Sequence, residues 1–152
     1  MPPSPLTRVR KLCLALPEAH EVIAWGEPTF RVRNKLFAMY AHADNHHGAG
    51  RHAVWCKATP MTQDLMIRAR PDRYFSPPYV GPSGWVGVVL DRETDWAALE
   101  DLLRDGWKMT APKKLVGDGR RPSKTALQGR RQSKAVEDGR RKSKAVQRPR
   151  KR

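Results

Sequence analysis

All five Trp, all three Phe and all three Tyr of this chain fall within its first 107 residues, ending at Trp107. Beyond Val116 the only apolar side chains larger than alanine, proline apart, are Leu127, Val136 and Val146. That asymmetry permits one core, in a stretch of about 115 residues, the size of a single small domain. It leaves the remainder without enough apolar surface to offset the entropy of ordering its backbone. The expected organisation is a folded domain over 1–116 and a disordered basic tail over 117–152.

Charge divides at the same point. The chain carries 30 Lys+Arg against 15 Asp+Glu; residues 117–152 hold 14 of the bases and 3 of the acids, a net of +11, and residues 1–116 keep only +4. Within the tail a ten-residue phrase, Gly-Arg-Arg-x-Ser-Lys, begins at Gly119, Gly129 and Gly139. Such cations neutralise phosphates while glycine-interrupted backbone lets each cluster find its own contact, without reading sequence. Arg120, Arg121, Lys124, Arg130, Arg131, Lys134, Arg140, Arg141, Lys142 and Lys144 are therefore expected to contact nucleic acid. The bland alternative is a solubilising extension. Two cysteines, Cys13 and Cys56, fit a reduced cytoplasmic protein better than a secreted one, and no run of apolar residues reaches membrane-spanning length or that of a signal-peptide core.

Ser4 can cap a first helix with Pro5 at its first position and Leu6, Val9, Leu12, Cys13 and Leu16 on one face. Strands follow at 20–25, 29–33, 36–42 and 52–57, then a helix over 60–70, a strand at 86–91, and a last helix capped by Thr94 or Asp95 that carries Trp96, Leu99, Leu103 and Trp107. This order implies an α+β fold, an antiparallel sheet with helices packed on one side. Asn34-Lys35 is the expected hairpin turn, since asparagine tolerates positive φ. Pairing Arg33 with Leu36 would then place Phe30, Val32, Phe37 and Met39 on the core face and Arg31, Arg33, Leu36, Ala38 and Tyr40 on the other.

The segments LPEAHEVIAWGEPTFRVRNKLFAMY, DRYFSPPYVGPSGWVGVVLD and DWAALEDLLRDGWKMTAPKKL, with Lys57 ending a strand between the first two, resemble the MmcQ/YjbR family of small bacterial proteins over roughly residues 6 to 115. The resemblance implies a CyaY-like, frataxin-related architecture and a DNA-binding role. Asn34 stands where the family commonly has glycine. The three bases ahead of two late acids in PLTRVRKLCLALPEAHE depart from the acidic, iron-attracting surface of frataxin-like proteins.

Arg31, Arg33 and Lys57, with Tyr40 for stacking, are the candidate phosphate-contacting sheet face. Lys113 and Lys114, following the last helix, serve either nucleic acid or the negative end of the helix dipole. His42, Asp44, His46, His47, His52 and Cys56 have the ligand types of a transition-metal site, but their spacing matches no defined site, so no metal and no cofactor are expected. Ser83 lacks the strand-turn-helix context of a nucleophile elbow, and no catalytic constellation is evident. The leading expectation is a cytoplasmic, monomeric protein that binds double-stranded DNA without sequence preference. The alternatives are a protein-interaction or small-ligand module targeted by its tail, and a frataxin-like metal-handling protein.

Overall fold

The structure is a computed structural model that describes residues 3–45 and 50–120, the last three by backbone alone. Helix α1 (Pro5–Leu14) leads into β1 (Ala19–Ala24), β2 (Glu27–Val32), β3 (Lys35–Ala41) and β4 (Ala53–Cys56). Helix α2 (Pro60–Ala69), β5 (Tyr74–Phe75), a 3-10 turn (Gly81–Ser83), β6 (Val86–Val89), α3 (Trp96–Thr110) and α4 (Lys113–Arg120) complete the order. The strands form one antiparallel sheet in the order β1-β2-β3-β4-β6-β5. This is the α+β arrangement that the sequence implies.

Capping follows the sequence closely. The Ser4 hydroxyl accepts from the Thr7 N–H, the Thr59 hydroxyl from Thr62, and the Asp95 carboxylate from Ala98, each satisfying an amide that the first turn leaves open. Pro5 and Pro60 occupy positions where no N–H is needed.

The core lies between the helices and one sheet face. Val9 and Cys13 of α1, Leu99, Leu102, Leu103 and Trp107 of α3, and Leu115 of α4 meet Phe30, Val32, Phe37, Ala38, Tyr40, Val54, Cys56, Val86 and Val88, with Met66 of α2 packed against them. The opposite face carries a smaller cluster of Met39, Ala41, Ala53, Trp55 and Trp85, flanked by Leu36, Phe75 and Val80. Cys13 and Cys56 are both free and buried, and desolvation pushes both thiols above their usual range.

Three expectations need correction. The β2–β3 turn is Arg33-Asn34, both at positive φ, and it pairs Val32 with Lys35 and Arg31 with Leu36. A two-residue type I′ turn demands positive φ at both positions and matches the sheet twist, so the hairpin closes one residue earlier than Asn34-Lys35 would allow. Farther along, Phe30 pairs with Ala38, which leaves Phe37 as an extra residue in β3. That bulge shifts the phase of the strand. Phe37, Ala38 and Tyr40 consequently face the helices, while Met39 faces the other way. Tyr40 is thus 1% exposed rather than part of a solvated basic face. Finally, residues 117–120, assigned from sequence to the disordered tail, continue helix α4, and the rest of the tail lies outside the described residues.

Candidate functional site

The antiparallel register sorts polar side chains to the two ends of the sheet. At one end Arg33 occupies the β2–β3 turn, Lys35 opens β3, and Lys57 follows the last residue of β4, donating its N–H to the Phe37 carbonyl at 3.0 Å. Arg31 lies just inside this end, half-buried, its Nε donating to the Thr29 hydroxyl at 3.1 Å. The C-terminal part of α3 crosses here. A Cβ on Gly106 would stand 2.8 Å from the Lys57 carbonyl oxygen and 3.3 Å from that of Phe37. Beyond α3 the chain turns at Pro112 into α4, whose first residues are Lys113 and Lys114. Those lysines occupy the positive end of α4, as well as following α3, so dipole capping is not their contribution to α4.

Of the basic side chains selected from sequence, Arg31, Arg33 and Lys57 therefore belong to one end of the sheet, Lys113 and Lys114 open α4, and Tyr40 lies toward the other end. Arg120 ends α4 with its side chain outside the description; Arg121, Lys124, Arg130, Arg131, Lys134, Arg140, Arg141, Lys142 and Lys144 lie outside the described residues altogether.

Six arginines of the domain are held by carboxylates. Arg10 forks onto Glu21, Arg33 onto Glu18, Arg70 onto Asp72 and Arg73 onto Asp91, while Arg68 and Arg104 reach Asp64 and Glu100 four residues away. These pairs hold the pKa values of Glu18, Asp72 and Asp91 below the usual carboxylate range, chiefly through the guanidinium hydrogen bonds, Asp91 at about 2. Among the described residues no carboxylate forms an ion pair with Lys35, Lys57, Lys113 or Lys114.

The opposite end of the sheet holds a constellation that sequence reasoning missed. Trp25 and Gly26, at φ 56° and 77°, form the β1–β2 turn, and Glu27 begins β2 with its side chain wholly buried. Its Oε1 lies 2.6 Å from His42 Nδ1 and its Oε2 accepts from the His42 backbone N–H at 2.9 Å. Next to this pair the Tyr40 hydroxyl lies 3.1 Å from Nδ1 of His52, which also accepts from the Ala43 N–H at 3.4 Å. Ring centroids are 4.8 Å apart for Tyr40 and His42, and 5.9 Å apart for His42 and His52. Burial, reinforced by the Glu27 charge, pushes the Tyr40 phenol up to about 12, so it stays protonated. His42 and His52 were read from sequence only as possible metal ligands. Their actual partners are 15 and 12 residues away, and no local spacing announces a contact made across strands. Among the described residues no group of three or more His, Cys, Asp or Glu converges to hold a metal; His46 and His47 lie outside them. No helix among the described residues is long and apolar enough to cross a membrane.

Comparison with known proteins adds fold and family. The crystal structure of the Deinococcus radiodurans protein DR2400, a DUF419 domain, superimposes with a TM-score of 0.59 over 68% of this chain and 76% of that one, at 19% identity, a likeness of fold. No curated protein matches. The family model YjbR matches residues 14–109, which runs from the end of α1 nearly to the end of α3 and takes in both ends of the sheet: the chain belongs to the YjbR family.

Proposed function

We propose that the protein binds double-stranded DNA with little sequence preference, mainly through phosphate contacts of its basic C-terminal stretch, supplemented by the lysines at the α3–α4 end of the domain. One observation carries this reading: among the described residues Lys35, Lys57, Lys113 and Lys114 form no ion pair with a carboxylate, and the last two stand just ahead of residues 117–152, which hold 14 bases and 3 acids. A lysine already paired must exchange its carboxylate for a phosphate, whereas an unpaired one releases only counterions and water, so the lysines rather than the forked arginines supply the domain's share of affinity. Tethering then raises the effective concentration of each contact for the other.

Deletion of residues 121–152, which leaves α4 intact, tests this. Binding to unrelated duplexes is measured at several salt concentrations for the full chain and the deletion. The proposal requires a large, sequence-independent loss of affinity with the stretch removed, and a weak residual affinity that Lys57→Ala plus Lys113→Ala lowers further. Equal affinity of both proteins would make the stretch a solubility device.

A further inference from the structure

The Glu27, His42, Tyr40 and His52 cluster stands at the end of the sheet away from the lysines, and the nucleic-acid reading makes no use of it. Its hydrogen bonds fix the tautomers. A buried carboxylate can only accept, so the neutral His42 ring carries its proton on Nδ1 and its lone pair on Nε2. His52 Nδ1 receives the Ala43 N–H and faces a phenol that stays protonated, so it is the acceptor there and Nε2 carries the hydrogen. The two rings therefore offer one acceptor and one donor, on centroids 5.9 Å apart. His42 is about one-third exposed and His52 is exposed, so both rings meet solvent. Each ring is also held from behind, the arrangement that keeps a catalytic imidazole in one orientation.

We propose that this cluster is an acid–base site for the hydrolysis of small carboxylic esters, in which His42 is the general base, His52 donates to the carbonyl oxygen, and Glu27 and Tyr40 position the two rings. His42 Nε2 takes a proton from water as the water oxygen bonds to the carbonyl carbon. The π pair of the C=O moves onto its oxygen, which accepts the His52 Nε2–H. When the tetrahedral adduct collapses, the C–O bond to the alcohol breaks and the departing oxygen takes the proton back from His42 Nε2, leaving acid, alcohol and the starting imidazole. Glu27 stabilises the imidazolium that forms midway, and its own burial keeps it from competing for the substrate. A carbonyl suits the site better than a phosphoryl group. The cluster brings one neutral N–H to the single charge of a tetrahedral oxyanion, and none of its four members is an arginine or lysine that could clamp a phosphate.

The test uses the full chain and 4-nitrophenyl acetate, with His20→Gln as control, because His20 is an exposed histidine on β1 with no part in the cluster. The expected result is saturable hydrolysis that falls about 100-fold or more in His42→Gln and is unchanged in His20→Gln. Tyr40→Phe, which keeps the ring and removes only the hydroxyl, should lower kcat several-fold. Glu27→Gln should lower kcat with KM nearly unchanged, since the imidazolium formed midway loses its carboxylate while the surface that the substrate meets is untouched; a purely structural role would move both. Thermal melts accompany each variant, and the two His variants remain decisive should Glu27→Gln fail to fold. Equal rates for wild type and His42→Gln, or equal losses in His42→Gln and His20→Gln, would overturn the proposal.

Discussion

The Phe75 ring covers Gly87 so closely that a Cβ on that glycine would collide with its Cζ and Cε2. Gly87 lies opposite both Trp55 of β4 and Phe75 of the two-residue strand β5, so the missing side chain is what lets an aromatic lid close over the second sheet face. Gly87→Ala should destabilise the domain by about 1–3 kcal/mol, as overpacking commonly does, with a lower urea midpoint and little change in m-value. Gly117→Ala is the contrast: nothing lies within 4 Å of the added carbon in α4, and alanine favours the helix by up to about 1 kcal/mol.

Phe30 and Arg31 are neighbours on opposite faces of β2. Phe30→Ala should cost about 3–5 kcal/mol, since it opens a cavity beneath α1 and α3. Arg31→Ala should cost less than about 1 kcal/mol, because it removes a half-exposed side chain with one hydrogen bond to Thr29. Chemical denaturation of both variants checks the face assignment, and an inverted order would contradict it.

Much of the fold was legible because local chemistry decided it. Ser4-Pro5, Pro60 and the Thr94 or Asp95 choice announce helix starts, and the spacing of Leu99, Leu103 and Trp107 announces a buried helix face. The β2–β3 hairpin was legible as a hairpin but not in register, since Arg33-Asn34 and Asn34-Lys35 both offer asparagine to a turn. The bulge at Phe37 then displaced Tyr40 and Met39 from their expected faces. A bulge is chosen by packing on two faces at once, here Phe37 beneath the helices and Leu36 on the other side, and no alternation pattern within one strand reports it. The Glu27 and His42 pair was hidden for a related reason: a carboxylate in a strand reads as solvated until its cross-strand neighbour is known.

Acid should expose the Arg73 and Asp91 pair. Arg73 forks onto Asp91 with distances of 2.8 and 2.7 Å and holds the carboxyl at about 2, below the 3.8 of an unperturbed aspartate. A depressed native pKa contributes stability that is fully present above the unfolded value and is lost as pH falls through the folded one. The contribution should therefore be intact above about pH 4 and vanish toward pH 2. Asp91→Asn should be less stable than wild type at neutral pH and show a shallower decline between pH 4 and 2. A thermal-melt series across that interval measures both, and parallel curves would show that the pair does not contribute.

The C-terminal stretch should be visible in salt. Each phosphate neutralised adds about −0.9 to the slope of log K against log salt, so engagement of half the 13 bases in residues 121–152 adds about −6. Removing one ten-residue phrase at a time should reduce the slope in similar steps if the phrases are interchangeable. Stability should stay unchanged throughout. Unequal steps would identify a preferred phrase.

Strand β3 joins the two ends of the sheet, from Lys35 beside the turn to Ala41, one residue before His42. Seven residues of extended chain span about 20 Å, more than twice the roughly 8 Å over which charges are felt through physiological saline. A polyanion seated on the lysines would be nearly invisible to the imidazoles as an electric field, and any influence of one end on the other must pass as a mechanical displacement along the hydrogen-bonded strand.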